Sequence, residues 1–123
     1  MAIKVDSENN CTMYRGDTDN LVFSGLPTDK LYSVYFAINN EETGKILKEI
    51  IANEFNIISG SASFSFDEDF SNSLPVGEWT YSLKLCYGTS ENTVIPALRE
   101  INGAVVKDPS PMFTVLDMRV EGA

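Results

Sequence analysis

Pro75-Val76-Gly77-Glu78-Trp79-Thr80-Tyr81-Ser82-Leu83-Lys84-Leu85-Cys86-Tyr87-Gly88 decides the fold class. It opens on a turn, alternates apolar and polar residues, and closes on glycine. Trp79, Tyr81, Leu83, Leu85 and Tyr87 share one face of a strand. Glu78, Thr80, Ser82, Lys84 and Cys86 share the other. A period of two sustained over this length is a half-buried strand of an antiparallel sheet, not a helix.

Four further segments read as strands. They are 20–24, 31–39 (Tyr32, Val34, Phe36 and Ile38 on one face, Ser33, Tyr35 and Ala37 on the other), 61–67 and 113–120. Ile3-Lys4-Val5 and Thr12-Met13-Tyr14 suggest a broken edge strand. Asn39 to Gly44 reads as a hairpin connection. Segment 45–55 is ambiguous: apolar residues at 46, 47, 50, 51 and 55 have helical spacing, yet the isoleucines and the surrounding strand pattern favour a strand. Residues 67–75 carry cap-type side chains that suit a single helical turn. Residues 98–110 are the least patterned, with 101–106 readable as a short strand.

About seven strands separated by turn signals predict an all-β, two-sheet antiparallel sandwich with Greek-key connections. Phe23, Phe36, Phe64, Phe66, Trp79 and Tyr81 are its expected core. The 123 residues suit one domain, 1–123, large enough to bury a core without disulfide or metal.

The formal charge is −9, and the nine basic residues are scattered singly. That argues against nucleic acid and against an anionic membrane surface as partners. Cys11 and Cys86 are expected to be free thiols of a reducing compartment. The first residues hold no apolar run of the signal-peptide kind, and no segment approaches a membrane span.

The chain contains no histidine, which removes the commonest general base and metal ligand. Asp67, Glu68 and Asp69 cluster at a strand end but lack calcium-loop spacing, and carboxylates in turns usually cap backbone amides. No catalytic residue, cofactor or metal is assigned. Arg15-Gly16-Asp17 reads as a turn before a strand. Asn10-Cys11-Thr12 is a glycosylation sequon without a secretion signal. Tyr35 and Ala37, with Ile46 and Ile50, form a candidate interface: either an exposed apolar patch or a surface covered by residues 98–110.

Tyr14-Arg15-Gly16-Asp17-Thr18 before the strand Leu21-Val22-Phe23, together with Leu74-Pro75-Val76-Gly77-Glu78-Trp79-Thr80-Tyr81-Ser82-Leu83, resembles the immunoglobulin-like N-terminal domains of tailed-phage upper baseplate and minor structural proteins. The resemblance covers most of the chain. Residues 92–110 are longer and less regular than its pattern. It implies an immunoglobulin-like sandwich with a non-enzymatic structural role in a phage or prophage tail. The chain would be assembled in the bacterial cytoplasm and would contact other tail proteins or itself. A second reading is an immunoglobulin-like adhesion or carbohydrate-binding module using Tyr14, Tyr32, Tyr35 or Tyr87. A lipid-binding barrel or carboxylate enzyme ranks below both, because the large apolar residues argue for a filled interior.

Overall fold

The computed structural model describes residues 2–117. In chain order the elements are β1 (Lys4–Val5), β2 (Cys11–Tyr14), β3 (Asp19–Phe23), β4 (Ser33–Asn40), β5 (Lys45–Ile51), β6 (Glu54–Asn56), β7 (Ser61–Phe66), α1 (Glu68–Asn72), β8 (Gly77–Tyr87), β9 (Ser90–Ile95), β10 (Leu98–Ile101), β11 (Ala104–Lys107) and β12 (Met112–Leu116). The larger sheet runs β1-β2-β12-β8-β4-β5, with β9 also on β8, and the smaller runs β3-β7-β6. The expected strand at 113–120 is realised as β12, and positions 118–120 lie outside the described residues.

The two sheets face each other across one core, so the protein is an all-β sandwich. Phe36 of β4 stands at its centre. Its ring lies 5.2–6.0 Å from the rings of Phe23, Phe64, Phe66, Tyr81 and Phe113. Those rings come from both sheets, and tilted or edge-on pairs at such separations add to the burial term. The sandwich is not purely antiparallel. β12 pairs with β2 in parallel, Phe113 beside Cys11 and Leu116 beside Tyr14. Strands so far apart in sequence need no tight hairpin between them, which frees their relative direction.

Three expectations for the opening strand change. Tyr81, Leu83 and Leu85 are buried as predicted, but Trp79 is only half-buried at the rim of the core. Its indole N–H donates to the carbonyl of Pro75 at 2.8 Å. Tyr87 is exposed and meets the Tyr32 ring edge-on. Thr80, placed on the polar face, is buried between Asn39 and Met112 on the flanking strands.

The 45–55 ambiguity resolves into two strands. β5 pairs with β4 until Tyr35 meets Ile51; the chain then crosses to the other sheet, with Ala52 N–H bonded to Val34 and Asn53 N–H to Ser63. Ile38 opposes Lys48 but Asn39 opposes Ile46, leaving Leu47 as a bulge. That extra residue puts Ile46 and Leu47 side by side in sequence without a helix.

The predicted helical turn is α1. The Asp67 carboxylate accepts the Phe70 N–H at 2.8 Å as its N-cap. Buried Ser71 accepts the Gly16 N–H at 2.8 Å. Arg15-Gly16-Asp17 is thus the link that carries the chain from β2 to β3. Its Arg15 N–H bonds to Leu116, and its guanidinium lies 3.5 Å from Asp117.

Candidate functional site

The larger sheet's outer face carries the residues singled out from the sequence, and it separates them. Tyr35 opposes Lys84 on one side and Ile51 on the other; Ala37 opposes Ser82 and Glu49. Facing residues of paired strands share a face, so Tyr35, Ala37, Glu49, Ile51, Ser82 and Lys84 lie together, joined by Ile46. Ile50 does not join them: it opposes Phe36 and packs on the core. Ala37 is on the expected face but is 5% exposed, sunk between longer neighbours. The apolar patch therefore reduces to Tyr35, Ile46 and Ile51, interrupted by charge.

The Lys84 ammonium lies 2.9 Å from Glu91. That hydrogen bond, with the nearby carboxylate charge, holds the Lys84 pKa above its ordinary value. An open depression of about 560 Å³ is lined by Tyr35, Glu49, Lys84, Cys86, Gly88, Thr89 and Glu91. A smaller one of about 100 Å³ adjoins it at Ala37 and Ile46. No residue of 96–111 lines either, so that segment is not the cover considered for this face.

Residues 96–111 form a feature the strand pattern did not predict. β9 and β12 lie along the same side of β8, end to end. Ile95 opposes Leu83, Pro111 accepts the Tyr81 N–H at 3.1 Å, and Met112 opposes Thr80. They are two halves of one strand, interrupted where one intervening position would have continued it. The chain leaves after Ile95 through a cis peptide to Pro96 and returns at Pro111.

The excursion is the β10–β11 hairpin, here called the finger. Leu98 opposes Lys107, Arg99 opposes Val106, Glu100 opposes Val105 and Ile101 opposes Ala104. The closing residues, Asn102 and Gly103, have φ of 50° and 81°. Two positive φ values in a two-residue loop make the turn that matches strand twist, and Asn-Gly is its preferred sequence. That dipeptide was the available signal. The expected short strand at 101–106 is instead the tip of two.

All eight strand residues of the finger are exposed, and β10 and β11 pair only with each other. Leu98, Ile101, Val105 and Val106 are among the exposed large apolar side chains. Both finger faces carry apolar residues: Leu98 and Val105 on one, Ile101, Ala104 and Val106 on the other. A fork from Arg99 to Asp108 closes the base, with contacts of 2.6 and 3.1 Å. Beside it runs an open groove of about 530 Å³ between Glu8–Asn9 and the prolines 96, 109 and 111.

Tyr32 and Tyr87 are engaged locally. Tyr32 meets Tyr87 and Phe55 edge-on, at 73° and 75°, and its hydroxyl donates to Asp29 at 2.7 Å. That bond lowers the Asp29 pKa and raises that of Tyr32. Among the described residues no three carboxylate or thiol side chains converge as metal ligands, and no helix is long and apolar enough to cross a membrane.

No family model matches the chain, and no curated protein matches it. Among solved structures it aligns with the N-terminal domain of phage TP901-1 ORF48. The identity is 10% and the TM-score 0.48, over 88% of this chain and 83% of that one.

Proposed function

We propose that this chain is a non-enzymatic assembly domain of a phage or prophage tail, with an immunoglobulin-like sandwich as its body, and that it works through protein–protein contacts made by the finger. The observation that carries the reading is the finger itself. A two-stranded hairpin standing alone is marginal in water, and exposed apolar clusters of this kind mark interaction sites. The tail assignment is supported by the sequence resemblance at residues 14–23 and 74–83. The non-enzymatic reading is supported by the lack of histidine and the dispersal of the carboxylates. The carbohydrate-binding alternative draws less support, because Tyr32 and Tyr87 meet edge-on and offer no flat platform for a sugar ring.

The test is immunogold electron microscopy of particles released from the source organism, with antibodies raised against this chain. Label on tails is expected. Unlabelled tails in a lysate that contains the chain in soluble form would remove the assignment.

A further inference from the structure

Resting on the reading of the finger as a contact surface, we propose that it is a self-pairing edge. Two copies of the chain join strand to strand through β11, with Val105 opposite the partner's Val105.

The backbone fixes which groups are offered. The two-residue turn makes Ile101 and Ala104 a hydrogen-bonded pair, and the Asp108 N–H bonds to the Ala97 carbonyl at 2.8 Å. Hydrogen-bonded pairs alternate with non-bonded ones along an antiparallel ladder. The inward groups are therefore those of 97, 99 and 101 on one arm and 104, 106 and 108 on the other. Leu98 and Glu100 of β10, and Val105 and Lys107 of β11, aim their N–H and C=O groups outward.

Charge then selects the edge. A symmetric antiparallel pairing that keeps faces aligned sets one residue against itself. On β10 the central registers oppose Arg99 to Arg99 or Glu100 to Glu100, which is unfavourable. On β11 the register centred on Val105 opposes Val105 to itself on one face and Ala104 to Val106 on the other. Only apolar side chains meet there, and the central pair is of the hydrogen-bonded kind. Natural edges are usually guarded by lysine, proline or a bulge. β5 has such guards, Lys45, Lys48 and the bulge at Leu47; the middle of β11 has none.

The charge of the body favours a contact held at a distance. The finger's two cations, Arg99 and Lys107, balance Glu100 and Asp108, so the whole −9 sits on the rest of the chain. Pairing about Val105 puts the two finger bases at opposite ends of a four-stranded sheet, about 20 Å apart at the usual rise per residue. That exceeds the screening length of about 8 Å at physiological salt.

The contact is small, so association is expected to be weak, showing between about 10 μM and about 1 mM in sedimentation velocity of the full chain. Val105→Lys should return the weight-average mass to that of a monomer across this range, while Leu98→Lys should leave it unchanged. Leu98 and Val105 are 69% and 68% exposed, so the pair is matched for lost apolar surface. In a Cys86→Ser background with oxidised glutathione supplied as the two-electron oxidant, Val105→Cys should form a disulfide-linked dimer, releasing reduced glutathione, about tenfold faster than Leu98→Cys, because a hydrogen-bonded pair sets Cα atoms about 5.5 Å apart. A monomer throughout, equal loss from both lysine variants, or equal cross-linking at both positions would overturn the proposal. So would wild-type chain that stays monomeric while a different protein binds the finger. Gold-labelled tails together with a monomeric isolated chain would leave the assembly reading standing and remove only self-pairing.

Discussion

The hydroxyl of Tyr81, in the middle of β8, donates to the main-chain carbonyl of Asn9 at 2.7 Å, across 72 positions of sequence. Asn9 itself has φ of 67°, and its neighbour Asn10 accepts the Met112 N–H through its side chain at 2.8 Å. One buried ring therefore pins the N-terminal turn beside the point where the chain re-enters the large sheet. Tyr81→Phe keeps the ring and leaves the carbonyl only the weak Cys11 thiol donor at 3.8 Å. It is expected to cost about 1–2 kcal/mol, read as a lower urea midpoint with an unchanged slope. An unchanged midpoint would mean the bond contributes nothing net.

The Cys11 thiol lies in the same pocket. Its pKa is pushed up from about 9 to about 11, chiefly by burial. The folded chain thus keeps this proton to higher pH than the unfolded chain does. The stability so contributed is whole below about pH 9 and is lost as pH climbs through 11, a difference of about 2–3 kcal/mol. Tyr81 is raised too, again chiefly by burial, and acts with the same sign at still higher pH. Urea midpoints at pH 8 and pH 10.5 should differ for wild type, and less for Cys11→Ala. At pH 8 a native sample should alkylate at Cys86, which is partly exposed, and at Cys11 only after denaturation.

Gly77 begins β8 with φ of 147°, and a Cβ there would come within 2.8 Å of the Trp79 ring. Gly77→Ala must therefore strain the backbone and displace the indole from its bond to Pro75. A loss of about 1–3 kcal/mol is expected, with a shift in tryptophan fluorescence reporting the displaced ring. Trp79→Ala, at a half-buried site, should cost less than the roughly 3–5 kcal/mol of a core tryptophan. Unfolding curves for the two variants check both statements.

Ser71 is the buried acceptor for the Gly16 N–H. Ser71→Ala leaves that donor without its partner, and about 1–3 kcal/mol should be lost. Hydrogen exchange adds a local readout: the Gly16 amide should lose protection while the β4 and β8 amides keep theirs. If Gly16 remains protected, water or another acceptor holds the turn.

Excising residues 96–110 and inserting one glycine should join β9 to β12 as a continuous strand, since Ile95 and Pro111 stand two positions apart along β8, with one position between them. The melting temperature should stay close to that of wild type, because surface changes away from special features usually fall within about 0.5 kcal/mol. A large loss would show that the body leans on the finger.

The sequence made the body legible wherever one face of a strand is buried and the other is wet. β7 and the middle of β8 follow that rule residue by residue, and β4 follows it except at buried Ala37, so alternation located Phe36, Phe64, Phe66 and Tyr81 correctly. It misled where partners change along a strand. Trp79 and Tyr87 continue the apolar stripe of Tyr81, but burial falls off toward both ends of β8. Ile50 was misplaced because a bulge at Leu47 resets the phase, and nothing in Ile46-Leu47-Lys48 announces it. The finger escaped for a different reason. With no buried face it has no period to detect, and only Asn102-Gly103 marked its turn. That β9 and β12 are one strand depends on their shared partner β8, a long-range relation that local spacing does not contain.

The break in that strand separates two kinds of inheritance. Substitutions in the core are answerable to Phe36 and the rings around it. Substitutions in the finger strands fall outside that core, since all eight of their residues are exposed. The same body can therefore carry a succession of different fingers, each changed or lengthened without refolding the rest. A lineage using this scaffold could vary the surface that the finger presents while its interior stands still.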